Sequence, residues 1–553
     1  MTSSPFRFAA VLAASILVCG ASACAQTPEA GTGPLAEAPA GSFRGVTEDG
    51  IDIYRGIPFA KPPVGDLRWR APQPLDPIEG EFDATGFGPA CMQPTRTGAS
   101  IYADTLPAGI SEDCLNLNVW APEDAENAPV FVWIHGGSLM RGANSQIMYD
   151  GSQYAERGIV YVSINYRLGV LGYMAHPQLS HESPDGVSGN YGLLDQIAAL
   201  EWVRDNIAAF GGNPDNVTIA GESAGALSVN YLMVSPRAEG LFHRAIAQSA
   251  YTLSTPRLRE PVFGLPPAEG VGLYIANQLG ISRFANLRAM DATELVEAVS
   301  QTGYIPWGTV DGVIIPDQPV NIFDRGEQAA VPLIAGFNEG EIRSLRILLA
   351  PIPDDADTYE AAIRTGYGDL AEETLARYPS NTIEESMLAT TRDAMYGWTS
   401  ERLVRQQAAT GQPGYLYYFD HSYPAADALG LHAFHASELP FMFGNIGRLS
   451  EYWPAPPDTP SEHALADTMI GYWSSFARDG VPSAEGAPVW EAYGEDQHFI
   501  EFDGEAVAGT DLMPGMFELH EAVMCRRRAA NVGWHWNVGI ASPPMPRDVE
   551  DCR

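Results

Sequence analysis

The chain has 553 residues, of which 45% are hydrophobic, 18% charged and 10% aromatic. This is a globular composition, and it excludes a disordered or collagen-like chain. Asp and Glu number 69 against 32 Lys and Arg, a formal net charge of −37. So negative a surface repels a phosphate backbone, which argues against nucleic acid as a partner.

Residues 1–25 have the three-part pattern of a secretory signal peptide. A short polar start containing Arg7 precedes an apolar run over residues 8–18, and small residues follow. The run is too short to span a bilayer stably, and no later run reaches the ~18 apolar residues of a transmembrane helix. We therefore expect an exported protein that is periplasmic, anchored to the outer membrane or secreted, with no transmembrane span.

Two cleavage patterns fit this segment. Ala21-Ser22-Ala23 before Cys24 is similar to a bacterial lipoprotein box, which would leave a lipid anchor on Cys24. Ala23-Cys24-Ala25 fits ordinary cleavage. In either case, residues 26–41 are rich in Pro, Gly and Ala and predict a flexible tether.

Four cysteines remain in the body of the chain: Cys91, Cys114, Cys525 and Cys552. An even number outside the cytosol favours two disulfides. Pairing of nearest neighbours would join Cys91 to Cys114 and Cys525 to Cys552, but the sequence is compatible with three connectivities. No CxxC pair occurs, so a zinc site is disfavoured.

Continuous apolar runs alternate with helical patterns after residue 128. The helical patterns cover residues 193–210 and 466–477. Continuously apolar strands between helices are typical of a parallel sheet that is covered on both faces. We therefore predict an α/β fold, with a mostly parallel central sheet and helices on both faces, in a single domain over residues 42–553. The predicted strands are residues 129–134, 159–164, 217–220, 245–247, 331–335 and 415–419.

Gly221-Glu222-Ser223-Ala224-Gly225 follows one of these strands and precedes an apolar helical stretch. This is the G-x-S-x-G pattern in its required context, a sharp turn that exposes a serine hydroxyl at the carboxyl end of the sheet. The pattern indicates Ser223 as a nucleophile.

His135-Gly136-Gly137-Ser138 follows another predicted strand. Acyl transfer to a serine builds a tetrahedral oxyanion, which needs N–H donors aimed at the developing charge. Adjacent glycines allow two peptide N–H groups to turn toward one point. We expect Gly136, Gly137 and Ala224 to form this oxyanion hole and His135 to be structural.

Three further stretches carry a family resemblance. They are Tyr54-Arg55-Gly56-Ile57-Pro58-Phe59-Ala60, Glu112-Asp113-Cys114-Leu115-Asn116-Leu117-Asn118-Val119 and Phe210-Gly211-Gly212-Asn213-Pro214. With the serine turn, they make the chain similar to the type-B carboxylesterases, the cholinesterase-like branch of the α/β-hydrolases, from about Gly45 to about Gly504. The resemblance implies the α/β-hydrolase fold.

The resemblance also implies a triad of Ser223, His435 and a glutamate. His435 opens a stretch that matches the family's base, except that Ala436 replaces the usual glycine. Glu339 lies in a stretch similar to the one that carries the family's acid, and Glu341 is the alternative. His432 lacks the downstream match.

Two more residues are expected beside the triad. Ser249 matches a family position that hydrogen-bonds the acid–base pair, although an ordinary loop serine explains it nearly as well. Glu222 directly precedes the nucleophile and is expected to support the site as well.

These features predict a serine hydrolase of small carboxylic esters that works through an acyl-enzyme, without a metal or cofactor. A lipase-like hydrolase of longer acyl esters is an alternative. A cholinesterase is disfavoured because residues 92–113 contain no tryptophan for cation–π binding. A non-catalytic adhesion protein of this fold is disfavoured because the triad residues are present. The sequence leaves open the natural ester and the oligomeric state.

Overall fold

The structure is a computed structural model that describes residues 33–95, 100–251, 254–534, 537–546, 549 and 552. The predicted signal peptide, Cys24 and the first part of the predicted tether lie outside the described residues.

Strands fall into one large and two small sheets. The described strands, in chain order, are β1 (Leu35–Ala38), β2 (Gly41–Arg44), β3 (Val46–Glu48), β4 (Ile51–Pro58), β5 (Glu81–Asp83), β6 (Ala90–Cys91), β7 (Ile110–Ser111), β8 (Asn116–Pro122), β9 (Ala128–Ile134), β10 (Val160–Ile164), β11 (Gly212–Glu222), β12 (Arg244–Gln248), β13 (Leu333–Asn338), β14 (Gly414–Phe419), β15 (His498–Phe502) and β16 (Ala506–Thr510).

The helices lie mostly in the connections between these strands. The described α-helices are α1 (Ser152–Ala155), α2 (Gly169–Tyr173), α3 (Pro177–Glu182), α4 (Tyr191–Asn206), α5 (Ala224–Val234), α6 (Ala268–Gln278), α7 (Phe284–Arg288), α8 (Ala292–Ser300), α9 (Pro319–Asp324), α10 (Ala356–Tyr367), α11 (Ala371–Arg377), α12 (Ile383–Arg392), α13 (Trp398–Ala409), α14 (Pro424–Asp427), α15 (Leu439–Met442), α16 (Pro460–Asp479) and α17 (Met516–Ala529). A π-helical turn, Asp393–Gly397, joins α12 to α13.

The large sheet has the strand order β16-β15-β14-β13-β12-β11-β9-β10-β8-β4-β3. The seven strands from β15 through β10 in this order run parallel, and the pairs at both margins are antiparallel. The predicted α/β fold with a mostly parallel sheet is confirmed. All six predicted strands are present, although β13 begins and ends later than predicted.

Alternate residues of the central strands point to opposite faces of the sheet, as strand geometry requires. In β9, Val130 and Val132 pack in one core with residues of α4 and α5, whereas Phe131 and Trp133 pack in a second core with residues of α16. Helices thus cover both faces, which is why these strands are apolar without interruption.

The N-terminal segment differs from its prediction. Residues 35–38 of the predicted tether form β1, which pairs antiparallel with β2. Phe43 of β2 is fully buried, with its ring 6.0 Å from Phe210 and 6.4 Å from Trp202. This aromatic contact fixes the hairpin to the body, so the tether prediction is wrong for residues 35–38.

Two disulfides are present, Cys91–Cys114 and Cys525–Cys552. They are the nearest-neighbour pairs, and they indicate an oxidising compartment. Within the described part of the chain, no helix has the length and apolarity needed to cross a membrane.

Candidate active site

Ser223 sits on the turn between β11 and α5. Its backbone has φ 57° and ψ −120°, a conformation that costs a non-glycine residue about 1–3 kcal/mol. Its N–H donates to Gln248 O at 2.9 Å, and its carbonyl accepts from Leu227 N–H at 2.9 Å. These two bonds hold the turn in place.

The glycines on either side of the serine are required by close packing. A Cβ at position 221 would lie 2.5 Å from the carbonyl carbon of Gly225. A Cβ at position 225 would lie 2.0 Å from the carbonyl oxygen of Ile134. Only glycine fits at either position, so the strand and the helix can approach each other behind the nucleophile.

The glycine turn after β9 lies directly against Ser223. A Cβ on Gly136 would be 3.3 Å from Ser223 Cβ, and Gly137 has φ +106°. Ala224 opens α5, where its N–H has no intrahelical acceptor. Among the described residues, none of these three N–H groups donates to a protein acceptor.

His135 is fully buried, and its ring stacks on Tyr166 with centroids 4.6 Å apart. Burial lowers its pKa to about 4, so the ring is neutral at physiological pH. This environment agrees with the structural role expected for His135.

His435 lies in the loop before α15 and is 5% exposed. The residue that follows, Ala436, has φ +70°, in the left-handed region that favours glycine. The hydroxyl of Tyr102, from the loop closed by the first disulfide, lies 3.0 Å from the His435 carbonyl oxygen and 2.7 Å from Ser344 Oγ.

The carboxylate on His435 Nδ1 belongs to Glu341, through Oε2. Glu341 is fully buried, and its Oε1 accepts the main-chain N–H of Asn338 at 2.9 Å. This arrangement orients the imidazole and leaves Nε2 for a second partner.

The expected pairing of Glu339 with His435 does not form. Glu339 is directed away from the histidine and lies 3.7 Å from Arg343, 3.8 Å from Arg392 and 3.9 Å from His432. Its side chain is 24% exposed, whereas that of Glu341 is 0% exposed.

A turn after β13 explains this correction. Glu339 N–H donates to Phe419 O at 2.9 Å, which extends the strand pairing by one residue. The chain then reverses, with Arg343 N–H donating to Gly340 O at 2.9 Å, and the reversal brings Glu341 back beneath the strand end. Arg343 lies four residues after Glu339, a spacing at which opposite charges often pair. In the sequence it indicates that Glu339 pairs with an arginine and not with His435.

His435 Nε2 faces Glu222 Oε1 at 3.1 Å. No hydrogen bond joins His435 to Ser223 among the described residues, although Glu222 and Ser223 are adjacent in the chain. Ser249 also differs from expectation. Its Oγ is buried and has no hydrogen-bond partner in the described part of the chain, while its N–H donates to Gly336 O at 2.8 Å.

Comparison with known proteins places this geometry in a family. The model of the carboxylesterase family matches residues 32–514. The chain belongs to the carboxylesterase family.

Two curated relatives are bacterial esterases. The fumonisin B1 esterase of Sphingopyxis macrogoltabida is 35% identical over 489 residues, which are 85% of this chain and 87% of the relative. The para-nitrobenzyl esterase of Bacillus subtilis is 36% identical over 472 residues, 82% of this chain and 92% of the relative.

Solved structures agree with the fold of this family member. A PNB esterase structure superposes with a TM-score of 0.77 at 34% identity, covering 88% of this chain and 99% of that one. The carboxylesterase EST55 of Geobacillus stearothermophilus gives a TM-score of 0.70 at 32% identity, covering 90% and 99%.

In this carboxylesterase-family chain, burial and two neighbouring carboxyl groups shift the pKa of the His435 imidazole. Burial lowers the pKa of His435, but Glu222 and Glu341 outweigh it and raise the pKa to about 9. Burial raises the pKa of Glu222 to about 8. The two carboxyl groups thus raise the proton affinity of the imidazole, and burial gives Glu222 a higher proton affinity than an ordinary carboxyl has.

Tyr396 was missed by the sequence analysis. It lies in the π-helical turn, and its ring centroid is 5.4 Å from that of His435. π-helical turns occur often at functional sites, because the extra residue redirects one side chain. No apolar period in the sequence marks this insertion.

Proposed function

We propose that this chain hydrolyses carboxylic esters with Ser223 as the nucleophile, His435 as the base and Glu341 as the acid that orients it. One observation carries the proposal. A serine on a strained strand–helix turn lies beside a glycine turn with available N–H groups, and its neighbour Glu222 contacts a histidine whose other nitrogen contacts a buried carboxylate. Acyl transfer by a serine needs this set of groups.

The reaction begins when neutral His435 removes the proton from Ser223 Oγ as that oxygen attacks the ester carbonyl. In this step Nε2 exchanges its contact with Glu222 for Ser223. The N–H groups of Gly136, Gly137 and Ala224 hold the oxyanion.

His435 then gives its proton to the leaving alcohol as the carbon–oxygen bond breaks, and Ser223 carries the acyl group. Water repeats the two steps and releases the acid. Glu341 fixes the tautomer of His435 and stabilises the imidazolium.

A variant pair tests the nucleophile and the base. Ser223→Ala and His435→Ala should each lower kcat on a short-chain chromogenic ester by orders of magnitude. His432→Ala is the matched control and should retain activity, because its ring is 47% exposed and its ion-pair partner among the described residues is Glu339. Full activity in Ser223→Ala would refute the proposal.

A second measurement is independent of substitution. A fluorophosphonate should attach once per chain, and peptide mass spectrometry should locate it on Ser223. Labelling of Ser223→Ala at the wild-type rate would contradict the assignment.

Export is also part of the proposal, and the N-terminal sequence pattern and the two disulfides support it. Lipidation would make Cys24 the first residue of the mature chain in its native host. An intact-mass measurement would identify the lipid, and a mature chain beginning at Gln26 would exclude it.

A further inference from the structure

Glu438 is a third buried carboxylate at this site, and the reaction proposed above gives it no step. Glu438, Glu222 and Glu341 are 0%, 4% and 0% exposed, and all three act electrostatically on His435. Three carboxylates around one imidazole repel each other, so something must determine which of them stays ionised.

The two oxygens of Glu438 have separate amide donors. Asn338 Nδ2 donates to Oε2 at 2.6 Å, and Gln248 Nε2 donates to Oε1 at 3.1 Å. Both amide side chains are fully buried. Glu222 Oε1, in contrast, has no hydrogen-bond partner among the described residues besides its ion-pair contact with the imidazole.

Each amide is also fixed to the catalytic backbone. Asn338 Nδ2 donates to the carbonyl of Phe434, the residue before His435, at 2.9 Å. The Asn338 main-chain N–H binds Glu341. Gln248 accepts the Ser223 N–H on its main-chain oxygen, and its Oε1 accepts from Trp473 Nε1 at 3.0 Å.

We propose that Asn338 and Gln248 are positioning residues that hold Glu438 as a carboxylate and so keep a second fixed negative charge on His435 beside Glu341. The proton that this cluster takes up near neutral pH then goes to Glu222, the carboxylate without amide donors. This inference rests on the proposed ester hydrolysis.

The direction in which Asn338 shifts the pKa of Glu438 supports this proposal. Burial raises the pKa of Glu438 to about 7, and the hydrogen bond from Asn338 opposes that rise. The other titratable side chains that face the cluster are tyrosines, and burial holds the pKa of each well above its usual value, so they stay neutral. Among the described residues they are Tyr102, Tyr149, Tyr251, Tyr396 and Tyr417.

The consequence is a pH dependence with a definite sign. Without an amide donor, Glu438 takes up a proton at a higher pH. Its charge is then missing beside the imidazolium, so the pKa of His435 falls. The acid limb of the kcat/KM profile therefore moves to lower pH, and kcat falls because the imidazolium in the transition state has lost a neighbouring charge.

The experiment compares Asn338→Ala with Asn190→Ala. Asn190 is a matched control, since it is 2% exposed and its Nδ2 donates to a carbonyl at 2.8 Å and to the Asp311 carboxylate at 2.9 Å. Asn338→Ala should move the acid limb down by about one pH unit, the effect of losing one nearby charge, and Asn190→Ala should leave it in place.

Gln248→Met, which keeps the side-chain volume, should shift the limb in the same direction and carries the test where Asn338→Ala does not fold. Glu438→Gln should reproduce the shift, and adding Asn338→Ala to it should shift the limb no further, because the amide acts through Glu438.

The outcomes separate this inference from the proposed function. A wild-type chain with no activity on any ester refutes the function. An active wild type whose acid limb is unmoved in a folded Asn338→Ala or Gln248→Met variant overturns the inference, as does a full additional shift in the double variant.

Discussion

Replacing Glu341 by Gln should lower kcat strongly, whereas the same change at Glu339 should lower it only slightly. The two residues are separated only by Gly340, yet Glu341 contacts His435 Nδ1 and is fully buried, while Glu339 is 24% exposed among Arg343 and Arg392. Gln keeps the shape of each side chain, removes the charge and replaces one acceptor oxygen with an NH2 donor.

The size of the effect follows from the charge on the imidazole. At an effective dielectric constant of about 20, two unit charges about 4 Å apart attract by about 4 kcal/mol. Losing about 3–4 kcal/mol of transition-state stabilisation corresponds to a fall in kcat of about 10²- to 10³-fold. The ion pairs of Glu339 are partly exposed and worth about 0–1 kcal/mol, so Glu339→Gln should lose less than about tenfold.

The assay is kcat and kcat/KM on a chromogenic short-chain ester, with the thermal midpoint measured alongside to show that both variants fold. A Glu341→Gln variant with near wild-type kcat would refute the role given to this carboxylate. A reversed order, with Glu339→Gln the weaker enzyme, would show that Glu339 and not Glu341 orients His435.

Three further outcomes follow from the site. Glu222→Gln should lower the pKa of His435, because the Glu222 carboxylate stabilises the imidazolium, and an acid limb of the kcat/KM profile that does not move to lower pH would contradict this. Ala436→Gly should raise the free energy of unfolding by about 0.5–1 kcal/mol, as glycine removes the cost of φ +70°; a lower urea midpoint would contradict it. Tyr102→Phe should lower kcat about fivefold by freeing the His435 carbonyl, at about 1 kcal/mol per hydrogen bond, with Tyr154→Phe, whose hydroxyl donates to the Met442 carbonyl at the end of α15 at 3.0 Å, as the control that keeps its kcat.

The central sheet was predictable because its strands are buried on both faces. Runs such as residues 129–134 need no alternation, and glycines mark their ends, so β9 is found within one residue. The serine turn was predictable for a related reason. Gly221 and Gly225 are required because a Cβ at these positions would lie only 2.5 and 2.0 Å from neighbouring backbone atoms, so the pattern reflects a local steric demand.

The carboxylate that contacts His435 was mispredicted because Glu339 was selected by the resemblance of its stretch to the family's acid-bearing stretch, with Glu341 as the alternative. Residues 331–335 were the expected strand, whereas β13 spans Leu333–Asn338. A strand ending at residue 335 leaves both Glu339 and Glu341 in the following loop, so the strand prediction could not decide between them. In the structure Glu339 still pairs with β14, and only the next turn carries a side chain inward, that of Glu341.

The N-terminal hairpin was missed for a different reason. The residues before Gly41 are rich in Ala, Gly and Pro, which predicts a tether by composition. Phe43 overrides that preference by burying its ring against Phe210 and Trp202. Such a contact joins residues far apart in the chain, and local composition carries no trace of it.

Local preferences of amino acids, for backbone angles and for burial, are violated at the candidate active site. Ser223 and Ala436 hold positive φ angles without being glycine, and three glutamates are buried around His435. Functional sites are where such conflicts are expected, since the rest of the fold must compensate for them. Here the last residue of β12 makes contacts that compensate for these costs. Gln248 accepts the N–H of the strained Ser223 and donates to Glu438, so one residue supports both the backbone of the nucleophile and the charge around the base.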